Sequence, residues 1–127
     1  MPKLHQLATA LLLICVCAVA KGQAPQSGQF YVLGGGSESC GRWLEGARSG
    51  PGRIWREQWV LGYLTGYNSA QANGMFKSRQ VYLDDEKSAS AFMDRYCSAN
   101  PLSNVAAGTM ALVQELGGEK TDLKWKR

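Results

Sequence analysis

The sequence predicts an all-α protein, a small four-helix orthogonal bundle stapled by one disulfide. Three observations carry that expectation. Apolar and aromatic residues recur at spacings of three and four through most of residues 39–116. No stretch alternates strictly enough to make a half-buried strand. Two cysteines, Cys40 and Cys97, are left to pair once an N-terminal export signal is removed.

Residues 1–20 read as that signal. Lys3 supplies a short positive start, residues 7–20 form an apolar run, and Ala18-Val19-Ala20 gives the small-x-small pattern at which such signals are cut. The run is shorter than the roughly 20 apolar residues that span a bilayer. Cys15 follows Ile14 and Cys17 follows Val16, whereas a lipidated cysteine wants a small residue before it. There is no twin-arginine pair either. The signal looks bacterial, which sends the chain to the periplasm or into the medium, compartments where thiols become disulfides. Cleavage near Ala20 removes the single histidine, His5, together with Cys15 and Cys17. Cysteine arithmetic then leaves the pair Cys40–Cys97. Closing a loop of that length stabilises a fold by about 4 kcal/mol on the loop-closure entropy argument. The alternative is two independent buried thiols.

About 107 of the 127 residues remain, enough for one small domain. Residues 21–36 are rich in Gly, Gln, Ser and Pro, end in Gly34-Gly35-Gly36, and read as a flexible leader. Phe30-Tyr31-Val32-Leu33 interrupts it, either as a strand-like clip on the domain or as more leader. The domain itself occupies residues 37–118. Ser39 caps a first short helix carrying Cys40, Trp43, Leu44 and Ala47, stopped by Ser49-Gly50-Pro51-Gly52. A second helix runs from about Arg53 to Ala70. Trp55, Trp59, Gly62, Tyr63, Gly66 and Tyr67 share one of its faces. Gly62 and Gly66 each weaken the helix by roughly 1 kcal/mol relative to alanine. Their expected compensation is the close approach of another helix backbone.

Residues 71–83 break the pattern, with Asn73-Gly74 as a turn signal. Asp84 is the expected cap of a third helix. Asp85 and Glu86 fall in its first turn, where the positive end of the helix dipole favours them. That helix carries Ala89, Phe92, Met93, Tyr96 and Cys97, and Asn100-Pro101 ends it. A fourth helix, from about Leu102 to Leu116, lines up Leu102, Val105, Ala106, Thr109, Leu112, Val113 and Leu116 before Gly117-Gly118. The disulfide would tie the first helix to the end of the third. Residues 119–127 form a basic tail with Lys120, Lys124, Lys126 and Arg127 around Trp125. It reads as a solubilising end, or as a segment attracted to an anionic surface or acidic partner.

Chemistry finds little to work with. The mature chain has no histidine, no G-x-S-x-G elbow and no S-x-x-K dyad. Gly34-Gly35-Gly36 lacks the Lys and Ser/Thr of a phosphate loop. Two thiolates without C-x-x-C spacing cannot complete a zinc shell. No catalytic, cofactor-binding or metal-binding residue is therefore assigned, and no cofactor is expected. The formal charge of +4 comes from scattered basic residues, which argues against nucleic acid as a partner. Stable insertion in a membrane is not expected. The best enzymatic case is Glu57 between Trp55 and Trp59, with its pKa raised by an apolar wall as a glycosidase acid requires. It needs a second carboxylate such as Glu38 or Glu45 to face it. Against this, Glu57 falls on the side of the helix away from the aromatics, as a solvated residue pairing with Arg53 one turn back.

Three segments together resemble a known group. They are Cys40-Gly41-Arg42-Trp43-Leu44, then Trp59-Val60-Leu61-Gly62-Tyr63-Leu64-Thr65-Gly66-Tyr67-Asn68, then Tyr96-Cys97-Ser98-Ala99-Asn100-Pro101-Leu102. Behind an export signal, this resembles small bacterial periplasmic helical proteins related to the HdeA acid-stress chaperones and to type VI secretion immunity proteins of the Rap/Tai kind. The resemblance covers about residues 39–116. It implies a disulfide-stapled helical domain without catalytic residues. The HdeA-like side implies a homodimer that opens at low pH and holds unfolding clients. The immunity side implies a plug for the active site of a cell-wall-cutting effector.

The sequence reading thus favours an exported, non-enzymatic protein-binding domain, with an immunity-type inhibitor ahead of an HdeA-like chaperone. A peptidoglycan-active enzyme using Glu57 comes third. The partner is another periplasmic protein, either an effector or an unfolded client. The expected binding surface lies in residues 71–83. Met75 and Phe76 with Tyr82 are its apolar anchors, and Lys77 and Arg79 its charged rim.

Overall fold

The structure, a computed structural model, describes residues 30–45, 49–75 and 78–119. The export signal, most of the leader, Ala47, Phe76, Lys77 and residues 120–127 lie outside them. Among the described residues there are four α-helices and no strand, as the periodicity predicts. We number them α1 (Cys40–Leu44), α2 (Pro51–Ala72), α3 (Glu86–Ala99) and α4 (Val105–Glu115), preceded by a 3-10 turn at Gly34–Ser37.

Local chemistry sets the ends. Ser39 caps α1 by accepting from the Arg42 amide at 3.2 Å. Pro51 opens α2 behind Gly50, where its missing N–H costs nothing. The cap of α3 is Asp85 rather than Asp84. Its side chain accepts from the Ser88 amide, two residues into the helix, a geometry that Asp84 is one place too early to make. Asn104 caps α4 through the Ala107 amide. The fourth helix thus starts three residues later than expected, and Leu102 sits outside it, 94% exposed.

Cys40 and Cys97 are joined, with Cα atoms 4.8 Å apart and both residues fully buried. The bridge fastens α1 onto the end of α3. The start of α1 is also laced to the start of α4. The Cys40 amide donates to the Ser103 carbonyl, the Val105 amide donates to the Glu38 carbonyl, and Ser39 and Asn104 form an isolated bridge. The core gathers around Trp43, Val60, Leu64, Met93, Val105, Leu112 and Val113, with α2 packed on α3 and α4. Gly108 lets α4 pack directly against Met93 and Tyr96 of α3. A side chain there would meet Met93 Cε at 2.6 Å and Tyr96 Cδ1 at 2.8 Å.

Two expectations are corrected here. Gly34-Gly35-Gly36 is not flexible leader: it forms the 3-10 turn, and Gly35 and Gly36 are buried against α2. A Cβ on Gly36 would overlap the Trp59 ring, so the glycine is required by the packing. Phe30 to Leu33 make no strand, and Tyr31 and Leu33 stay exposed. The second correction concerns the buried face of α2. The residues it buries are Arg53, Arg56, Val60, Leu64, Tyr67 and Gln71. Gly62 and Gly66 face outward with nothing within 4 Å, and Trp55 is half exposed. Among the described residues, no other helix approaches the two glycines.

Candidate functional site

α2 turns its charges inward. Its three charged residues are Arg53, Arg56 and Glu57, and both arginines are buried while Glu57 is partly so. Each arginine is held by carboxylates from elsewhere. Arg53 Nη2 donates to Asp94 Oδ1 on α3 at 2.7 Å, Nε to Glu57 Oε1 at 2.8 Å, and Nη1 to the Trp43 carbonyl at 2.9 Å. Its guanidinium also lies 4.0 Å from the centroid of the Trp43 ring. Trp43 Nε1 returns a hydrogen bond to Asp94 Oδ1 at 2.9 Å. Ser90 donates to Glu57 Oε1 at 2.7 Å. Arg56 Nη1 donates to Glu38 Oε2 at 2.7 Å, beside the 3-10 turn. Burying two cations is expensive unless they are paired in this way.

The pairing of Glu57 with Arg53 is present, but Glu57 is not the solvated side chain the helical wheel suggests. It faces α3, and its side chain is 25% exposed. The cavity it lines with Trp43, Val60, Leu61, Glu86, Ala89 and Ser90 holds about 10 Å³, room for one water. Glu38 is engaged by Arg56, and Glu45 by Arg42 in an exposed pair at 3.4 Å. Among the described residues, no group of three or more His, Cys, Asp or Glu could hold a metal ion. No helix among them is long and apolar enough to cross a membrane.

With its charges inside, α2 presents an uncharged outer face. Ile54 and Trp55 are about half exposed, and Gln58, Gly62, Thr65, Gly66 and Ser69 continue the face along the helix. Trp59 and Tyr63 stack at its border, 5.6 Å between centroids. Burial, and then repulsion from Tyr67, raises the Tyr63 pKa above the usual phenol value. Beyond the border, Tyr31 and Leu33 are more than three-quarters exposed, and Gly34 lies against the Trp55 and Trp59 rings.

On another side of α2, the irregular segment 79–83 leaves a groove. Leu61, Leu64, Thr65, Asn68, Val81, Tyr82 and Leu83 line about 200 Å³ of it. Asn68 pins the segment. Its Nδ2 donates to the Val81 carbonyl, and the Val81 amide donates to its Oδ1, both at 2.8 Å. Nearby, the Tyr67 and Ser78 hydroxyls are 2.6 Å apart, and the Glu119 amide donates to Tyr67. Asp85 has its pKa lowered below the carboxylate norm, first by the Ser88 amide and then by the Ser88 hydroxyl.

Of the residues expected to bind a partner, Met75 and Tyr82 are more than 70% exposed and Arg79 is exposed. The Arg79 guanidinium covers Gly117, whose φ of +79° suits only glycine comfortably. Phe76 and Lys77 lie outside the described residues. The Arg53–Asp94–Trp43 cluster escaped the sequence reading. Its one legible signal is the four-residue spacing of Arg53 and Glu57, and nothing near Asp94 marks its distant partners. No known protein family, curated protein or solved structure matches the chain.

Proposed function

We propose that this is an exported, non-enzymatic domain that binds another protein through the uncharged outer face of α2. The leading form of this reading is an immunity-type inhibitor of a secreted effector. The observation that carries it is the inversion of α2. A helix that hides its charges and exposes Ile54, Trp55 and two glycines has its polarity arranged for a neighbour. Gly62 and Gly66 weaken α2, and a side chain at either would meet nothing among the described residues. An approaching partner backbone gives them a use. Met75, Arg79 and Tyr82 supply a second patch on the same molecule. The buried disulfide fits a periplasmic or secreted location, and the orthogonal crossing of the four helices belongs to the same reading.

A pull-down from periplasmic extract at pH 7 tests it, with oxidised protein as bait. The reading expects one stoichiometric partner whose wall-cutting activity falls on binding. That partner is lost when Ile54 and Trp55 are both replaced by serine at unchanged thermal stability. Binding that survives those two substitutions removes the α2 face from the proposal.

A second reading, an acid-activated HdeA-like holdase, draws on a different observation. Glu38, Glu57 and Asp94 are the counter-charges of two buried arginines. A holdase has to loosen α2 to expose a client surface, and these pairs are what keep its two arginines inside. Many weak clients captured only at pH 3 would favour this reading over the inhibitor.

A further inference from the structure

We propose that the groove between α2 and residues 79–83 receives a short segment of the partner protein, an apolar side chain followed by one or more cations. The inference rests on the protein-binding reading and names a second contact for it, without using the outer face of α2.

Size narrows the occupant first. Leu61, Leu64, Val81, Tyr82 and Leu83 enclose about 200 Å³. Sites that hold a drug-sized molecule run from about 300 Å³ upward. The groove therefore suits one or two side chains presented by another protein. Its polar walls are turned to backbone. The Thr65 hydroxyl donates to the Leu61 carbonyl, and both ends of the Asn68 amide hold Val81. The surface left facing the groove is mostly aliphatic, so an apolar side chain gains most on entering.

Charge then selects what flanks that side chain. Leu83 is followed by Asp84, Asp85 and Glu86, all exposed. Leu61 lines the groove and also the small cavity that Glu86 lines, so the acidic run stands at the Leu61 end. Two of the three carboxylates serve the fold. Asp85 caps α3, and Glu86 lies in its first turn, where the helix dipole favours it. Asp84, one residue ahead of the cap, does neither. Among the described residues, no cation is paired with Asp84 or Glu86. Lys87 is the basic residue beside them, and its field acts on Asp85. Three carboxylates against one lysine leave a negative lip on a chain whose formal charge is +4. A cation next to the apolar side chain meets that lip, which fixes the direction in which the segment lies.

The main chain has partners waiting as well. The backbone groups of Tyr82 and Leu83 bond to nothing among the described residues. They are free to bond the backbone of the segment, while the groove takes its side chain.

Titration of the oxidised full chain with a capped peptide of leucines followed by lysines tests the proposal, read by backbone amide shifts. The shifts fall on residues 61–68 and 81–86. A peptide with glutamates in place of the lysines binds about tenfold more weakly or worse. The lysine peptide loses about tenfold on Asp84→Asn with Glu86→Gln, which alters only exposed side chains. Tyr82→Ala, at a position 78% exposed, removes a wall of the groove and weakens binding too. Replacing Ile54 and Trp55 by serine leaves it unchanged. Equal binding of the two peptides, or the absence of shifts in those residues, overturns the proposal. So do shifts there that grow with protein concentration without peptide, since a second copy would then fill the groove. Pull-down through Ile54 and Trp55 is read separately. Its failure beside intact peptide binding removes the outer face of α2 and leaves the groove, and the reverse outcome removes the groove alone.

Discussion

Replacing Arg53 by methionine withdraws the cation shared by Asp94 and Glu57. The side chain is 5% exposed, while those of Asp94 and Glu57 are 16% and 25% exposed. Removing one partner of a buried pair costs about 3–5 kcal/mol. Partial access of water to both carboxylates places this case near the lower end. The Trp43 carbonyl also loses its donor, and the Trp43 ring loses its cation, at about 1 kcal/mol each. The methionine stem recovers part of that by filling the same space. A net loss of about 3–4 kcal/mol follows, a large share of the 5–15 kcal/mol typical of a domain. Urea unfolding of the oxidised protein at pH 7 measures it, with the slope m showing whether unfolding stays two-state. Asp94→Asn is the companion, because its Oδ1 can still accept from Arg53 and from Trp43 Nε1. It should cost less. The double variant should fall short of the sum by about 1 kcal/mol or more. A cost for Arg53→Met under about 1 kcal/mol, or strict additivity with Asp94→Asn, would refute the idea that this cluster anchors α2 to α3.

The glycines divide cleanly. Gly62→Ala and Gly66→Ala should each stabilise the protein by up to about 1 kcal/mol, since an added Cβ meets nothing. Gly36→Ala and Gly108→Ala should destabilise it, since the Trp59 ring and Met93 occupy the space; thermal melts separate the two outcomes. Replacing Cys40 and Cys97 together by alanine should lower stability by about 4 kcal/mol in urea, the loss of a cross-link across 57 positions. Asp85 ionises more readily folded than unfolded, so its contribution is present above the ordinary carboxylate pKa. It is lost as pH falls through the lowered folded value. Exchange at the Ser88 amide should therefore quicken in acid, and Asp85→Asn, which keeps an acceptor at the cap, should abolish that dependence.

What the sequence by itself determined is whatever short-range chemistry fixes. Ser39 caps the helix it precedes, Asn100-Pro101 follows α3, and Gly117 takes the left-handed conformation after α4, whereas α2 starts at Pro51, two residues before the expected Arg53. Each needs only its neighbours along the chain. The Cys40–Cys97 pairing was legible for another reason, arithmetic, given removal of the first 20 residues. Even the capping of α3 was readable to within one residue, because Asp84 and Asp85 offer the same side chain.

Only the tertiary structure decided which way α2 faces. Two stripes at helical spacing compete along it. One carries Trp55, Trp59, Gly62, Tyr63 and Gly66, and the other carries Arg53, Arg56, Val60 and Leu64; Tyr67, expected on the first, is buried with the second. Apolar periodicity favours the first. The second won because Glu38 and Asp94, residues 18 and 41 positions from the arginines they hold, neutralise both cations inside the fold. Hydropathy scores an arginine as exposed and cannot see a counter-charge that arrives from another helix. The same distance effect hid the burial of Gly35 and Gly36, which are glycines because Arg56 and Trp59 already fill the space a side chain would take.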